Sequence, residues 1–261
     1  MEEYRLIFSD IDGTLLNSKH EVPEQTAQLL RKIYQEEDKI FILVSARMPE
    51  GMRGIREKIG VPAPMICYSG AYILDEKENC LFSQTMEKNK VEQIMELASD
   101  RLSFNLYSHD QWFAKDPCDS WVLQESEITG IVPMKLQRDS ACLSQTHKIL
   151  CMGSPDVIKE MEKEIRDKVA VSVYRSKPTY LEIMSEQVSK ANAVHMVGQY
   201  FHIPREKMIA FGDGYNDLEM LQYVHTGIAM ENAVSEIKKA ADFVTLTNDE
   251  EGVRVYLERR G

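Results

Sequence analysis

At 261 residues, with 43% hydrophobic and 28% charged, the chain exceeds the common single-domain size and can bury a substantial core, which excludes a disordered protein. The formal charge of −11 with no dense basic stretch excludes a nucleic-acid or anionic-membrane surface. No apolar run approaches the ~20 residues of a membrane span, and the N-terminal residues lack the basic-then-apolar pattern of a signal peptide, so a cytoplasmic protein is expected. The five cysteines are scattered and form no Cys-x-x-Cys pair, which points to reduced thiols rather than zinc or redox chemistry.

The first apolar run, Leu6-Ile7-Phe8, predicts a buried strand that delivers Asp10 and Asp12 just where Gly13 lets the chain turn. Two carboxylates two positions apart at a strand's C-terminal edge suit chemistry, since ligands bind there in open α/β sheets. A turn capped by an Asp side chain is the structural alternative. Pro23 opens a predicted helix with Thr26, Leu29, Leu30 and Ile33 on one face. A second strand over 39–44 ends at Ser45-Ala46-Arg47, a helix follows over 49–59, and a third strand over 65–68 ends at Ser69-Gly70-Ala71. This alternation predicts a parallel, doubly wound sheet. It breaks at a hairpin over 72–82.

Between residues 83 and 185 the pattern changes to a helix with Val91, Ile94, Met95 and Ala98 on one face, several short strand-like runs, a helix over 155–168 and two strands over 169–174 and 179–184. This predicts an α+β module inserted into the first domain. Trp112, Trp121, Tyr174 and Tyr180 in it are expected as core aromatics. The doubly wound pattern resumes at Lys190, with Ala193, Met196, Val197 and Tyr200 as the apolar face of a helix. A strand over 207–211 then runs into Gly212-Asp213-Gly214-Tyr215-Asn216-Asp217, a second acidic pair at the same predicted sheet edge. A last β–α–β passage covers 224–244.

In this order the set Asp10-x-Asp12-Gly13-Thr14, Ser45, Lys190 and Gly212-Asp213-x-x-Asn216-Asp217 resembles the four motifs of the haloacid dehalogenase superfamily, in the Cof-type branch with a large α/β cap. The resemblance covers essentially the whole chain. It implies a Rossmann-like core from residues 1–82 and 186–261, with a cap domain at 83–185, and a phosphatase working through Mg²⁺ and an aspartyl-phosphate. The metal ligands it implies are the Asp10 carboxylate, the Asp12 backbone carbonyl and the Asp213 carboxylate, with Asp217 acting through water or by orienting Lys190. Asp10 is implied as nucleophile and Asp12 as acid, then base. Ser45, Ala46, Lys190 and Asn216 would hold the transferring phosphoryl group. The chemistry suits those residue types, because clustered carboxylates repel a phosphate until a hard cation and a lysine offset them.

On sequence alone Ser45 is as readily a helix N-cap, Arg47 a loop-bracing charge, and Asn232 a turn or cap residue. Departures from the family pattern fall at Ala46 and Ala191, where Gly is common, at Ser69, where Asn is common, and at Glu231, where Gly precedes Asn-Ala. The leading expectation is a phosphatase for a small phosphorylated metabolite, sugar phosphates first. The alternatives are a phosphomutase and a non-catalytic metabolite-binding protein. No motif readable in the insert selects one substrate or sets an oligomeric state.

Overall fold

The run Leu6–Asp10 is buried at every position and pairs in parallel on both sides, with Met208–Gly212 and with Ile40–Val44. A strand covered on both faces needs a continuous apolar sequence, and Leu6-Ile7-Phe8 supplies it. The computed structural model describes residues 4–36, 39–137 and 141–260. Residues 1–3, 37–38, 138–140 and 261 of the expected domains lie outside the described residues. The sheet runs in the order Phe243–Val244, Thr226–Ala229, Met208–Gly212, Leu6–Asp10, Ile40–Val44, Met65–Cys67, Tyr72–Leu74, Cys80–Ser83. Its strands are parallel from Phe243–Val244 through Met65–Cys67, and Tyr72–Leu74 turns antiparallel at the hairpin. The chain has a doubly wound, Rossmann-like α/β core.

The chain divides into two units, one of Met1–Arg47, Met52–Leu81 and Ser189–Gly261, the other of Met48–Gly51 and Phe82–Val188. In the first, register sets the chemistry: Asp10 lies opposite Val44, and Gly212 opposite Ala229. The residues that follow these strands therefore leave the sheet at one edge, the C-terminal one, where ligands collect in such sheets. The helix Lys190–Tyr200 differs from the expected face. Its buried residues are Lys190, Ala193, Val194, Val197 and Gly198, while Tyr200 is exposed. The stripe is rotated so that it begins on Lys190 itself, because that ammonium has buried partners that compensate its desolvation.

The second unit is built on a six-stranded sheet, in the order Val171–Lys177, Tyr180–Ser185, Lys148–Met152, Ser103–Ser108, Gln111–Ala114, Met134–Lys135. Helices Lys88–Ala98 and Pro155–Lys168 cover one face through Val91, Ile94, Ile158, Met161 and Ile165, which pack on Phe104, Leu106, Ile149 and Ile183. Alternate positions carry polar groups on the other face: Trp112 Nε1 donates to Asn105 Oδ1 (3.0 Å), and Lys148 meets Glu182 at 3.4 Å. Of the expected core aromatics, Trp112 and Tyr180 are buried and Trp121 and Tyr174 half-buried. The helix Ser120–Thr129 has no counterpart in the periodicity, since only Val122 in it is buried. Its ends were nevertheless written in the sequence, with Asp119 capping Trp121 N–H and Gly130 closing it in the left-handed region at φ 71°. All five cysteines are free thiols, and burial pushes Cys151 up to about 12. Among the described residues no helix is long and apolar enough to cross a membrane.

Candidate active site

Asp10 ends its strand and the chain enters a short helical turn, Ile11–Leu15, in which Asp12 and Gly13 depart from helical φ/ψ. Gly13 sits at φ +81°, and a Cβ there would come within 2.4 Å of Asp213 Oδ2. Thr14 Oγ1 then donates to Asp213 Oδ1 at 2.6 Å. Only a glycine lets the first acidic loop approach the second this closely. At the second loop Gly212 has the same role, because its Cβ would meet Asp217 Cβ at 2.5 Å. Asp217 Oδ2 accepts from the backbone N–H groups of Asp213 (3.1 Å) and Gly214 (2.9 Å).

Lys190 joins the two loops. Its Nζ donates to Asp10 Oδ1 at 2.5 Å and to Asp217 Oδ1 at 2.6 Å, and its side chain is fully buried. Burial alone would lower the Lys190 pKa, but the Asp10 and Asp217 carboxylates outweigh it and hold the ammonium above its ordinary range. Burial, then the charge of Asp217, raises the Asp10 carboxyl well above its ordinary value against the opposing pull of Lys190. Asp213 is pushed up to about 6, by burial first, although its bond from Thr14 works the other way.

Asp10, Asp213 and Asp217 each bring a carboxylate oxygen within 4.8 Å of the others. Three acids against one ammonium leave excess negative charge there, which adds to the larger effect of burial in raising the Asp10 and Asp213 carboxyls. The donor set is all oxygen, which fits a hard divalent cation such as Mg²⁺. Asp217 has both oxygens committed, to Lys190 and to the backbone, so it suits orienting Lys190 better than direct ligation.

Asp12 points elsewhere. Arg47 Nε donates to Asp12 Oδ2 (2.9 Å) and Arg47 Nη2 to Asp12 Oδ1 (2.6 Å), a two-pronged pair about half open to solvent. Arg47 thus braces a loop, as its place in the sequence suggests, but its partner is not legible there, because residues 35 apart give no local signal. Ser45 is buried at the end of its strand, and its Oγ accepts from Arg47 N–H at 3.1 Å, an N-cap-like contact within the loop. Ala46 lies half-buried beside it, and Asn216 half-buried one residue before Asp217. Tyr68 and Ser69 both adopt positive φ, 52° and 53°, a region Asn tolerates better than Ser, which accounts physically for the family preference at position 69. The charge added at Glu231 is taken up by Lys238, whose Nζ reaches its carboxylate and its carbonyl at 3.0 Å each.

Residues 7–257 match the family of haloacid dehalogenase-like hydrolases, and the chain belongs to that family. A Haemophilus influenzae protein named as a candidate phosphatase is 32% identical over 260 residues, covering 98% of each chain. A haloacid dehalogenase-like hydrolase from Bacteroides thetaiotaomicron superposes with a TM-score of 0.89 at 29% identity, over 99% of this chain and 100% of the other. The fold is shared with the subclass IIB sugar phosphatase BT4131, with a TM-score of 0.85 at 20% identity over 98% of each chain. This is the Cof-type architecture, and the chain is a phosphoric monoester hydrolase of the superfamily.

These carboxyls make a pH prediction for the protein held in chelator. Because the folded Asp213 carboxyl lies above its ordinary value near 3.9, its contribution to stability is present below that value and is lost as pH rises through about 6. The protein in chelator should therefore melt at lower temperature at pH 8 than at pH 5.5. Asp213→Asn, which keeps the acceptor for Thr14, should recover on the order of 2 kcal/mol at pH 8. Melting curves of both proteins against pH measure this. A variant less stable than the parent at pH 8 in chelator would contradict the assignment.

Proposed function

We propose that the protein is a Mg²⁺-dependent phosphatase for a small phosphorylated metabolite, sugar phosphates first, working through an aspartyl-phosphate on Asp10. The observation that carries the reading is the buried Asp10, Lys190, Asp217, Asp213 constellation at the sheet's C-terminal edge. The sugar phosphatase that shares the fold supports the substrate class. Asp10 attacks phosphorus, and Lys190 offsets the charge that accumulates on the phosphoryl oxygens. Ser45 and Asn216 donate hydrogen bonds to those oxygens, with backbone N–H groups after Asp10 and at Ala46 completing the cradle. The Asp10 and Asp213 carboxylates with the Asp12 carbonyl would hold Mg²⁺, which when bound supplies further charge neutralisation.

Asp12 protonates the leaving oxygen, then takes a proton from the water that opens the acyl-phosphate. Its two-pronged pairing with Arg47 fixes the plane of the carboxylate and leaves the second lone pair of each oxygen for the transferred proton. The unit containing Phe82–Val188 is the cap in this reading, roughly the 83–185 domain of the sequence, and supplies leaving-group selectivity that the phosphoryl site lacks.

A phosphate-release screen over sugar phosphates, nucleotides and cofactor phosphates, with Mg²⁺ and with chelator, tests the proposal. Release that requires Mg²⁺ and is fastest on a sugar phosphate is expected. Activity undiminished by chelator, or no release from any phosphate, would sink it.

A further inference from the structure

The turn that carries Asp12 leaves the helical path at Asp12 and Gly13, so its carbonyls cannot all be satisfied within the turn. Two asparagines from distant loops take them up. Asn232 Nδ2 donates to Gly13 O at 2.7 Å, and Asn248 Nδ2 donates to Leu16 O at 2.8 Å. The two are tied to each other, since Asn248 N–H donates to Asn232 Oδ1 at 3.0 Å. Asn232 follows the strand Thr226–Ala229, and Asn248 opens the turn Asn248–Glu250, where Thr247 and Glu250 form a reciprocal cap. Next to this, Asp249 Oδ1 accepts from Ser18 N–H at 2.7 Å. On its other side the Ile11–Leu15 turn is held by Thr14, which donates to Asp213.

We propose that Asn232 and Asn248 act as one clamp that sets the register of the Ile11–Leu15 turn, and with it the aim of Asp12 at the leaving oxygen. The inference rests on the reading of Asp12 as the proton donor. Neither asparagine touches a reacting atom, so both are positioning residues. Asn232 uses its donor on a carbonyl of the turn and Asn248 on that of Leu16, which closes it, and Asn232 uses its acceptor on its partner, so an aspartate at 232 would keep the tie to Asn248 and lose the grip on Gly13. Misplacing a catalytic group by about 1 Å can cost roughly 10²-fold, so a loosened turn should be felt in turnover before it is felt in folding.

The clamp has a signature that a purely structural contact lacks. An alkoxide leaving group needs its proton, whereas p-nitrophenolate hardly does. Asn232→Ala, Asn232→Asp and Asn248→Ala should therefore lower kcat/KM, which reports the phosphoryl transfer to Asp10 and not the later hydrolysis common to all substrates, roughly 10- to 100-fold on a sugar phosphate and only about threefold on p-nitrophenyl phosphate. The double alanine variant should be little worse than either single one, because both act through the same turn. Hydrogen exchange of the peptide spanning residues 11–16 should quicken in each variant while the strand Met208–Gly212 stays protected. Equal losses on the two substrates, additive effects, or unchanged exchange over 11–16 would overturn the clamp. If the parent releases no phosphate at all, the proposed function fails, yet the exchange measurement still decides whether the asparagines hold the turn.

Discussion

Asp10→Asn should abolish phosphate release, by roughly four orders of magnitude or more, and leave the fold intact. The amide is nearly isosteric with the carboxylate, and its Oδ1 can still accept from Lys190, which retains Asp217 at 2.6 Å. What is lost is the nucleophile, and removing a covalent nucleophile leaves only the rate that binding and charge neutralisation provide. Burial and the charge of Asp217 make the ionised Asp10 costly in the metal-free protein, so the neutral amide should not lower the melting temperature at pH 8. Acid-quenched parent protein should carry phosphate from a labelled substrate on the Asp10 peptide, and the variant none. Turnover near the parent rate would show that another group attacks phosphorus.

The acidic loops were legible because two strong signals coincide in each: a run buried on both faces, then an acid beside a glycine. Leu6–Asp10 and Met208–Gly212 supply the first, and Gly13 and Gly212 the second, since a side chain at either would collide with Asp213 or Asp217. Lys190 was legible only by its place between those loops, and its burial was not, because a lysine at the head of an amphipathic helix usually faces water. The periodicity therefore points to a stripe through Tyr200, whereas the molecule runs it through Lys190. Helix Ser120–Thr129 escaped because one buried residue gives no periodicity, although its caps were in plain view. The pairings Arg47 with Asp12 and Asn232 with Gly13 escaped for a different reason. Both join polar loop residues across 35 and 219 positions, and such contacts are fixed by where loops end on the sheet, which no local pattern encodes.

Lys190→Met should damage the fold itself as well as the activity. It leaves Asp10 and Asp217 buried with no cation between them, and breaking a buried charge pair from one side typically costs about 3–5 kcal/mol. For a chain of this size that corresponds to a fall of roughly 10 °C in melting temperature at pH 8. The sign of the pH dependence follows from Asp10, whose carboxyl is already above its ordinary range and would rise further without the ammonium. The deficit should be full at pH 8 and shrink on acidification as that carboxyl takes up its proton. Added Mg²⁺ should recover part of the melting temperature, since a cation among the carboxylates replaces some of the missing charge, but not turnover. Lys190→Arg separates charge from shape: it keeps the positive charge but cannot place one compact donor at 2.5 and 2.6 Å from two carboxylates, so it should regain stability while activity stays low. Calorimetry of both variants across pH, beside phosphate release, measures all of this. A Lys190→Met protein that melts with the parent at pH 8 would mean that the two carboxylates are not compensated by Lys190, and the electrostatic account of the site would have to be abandoned.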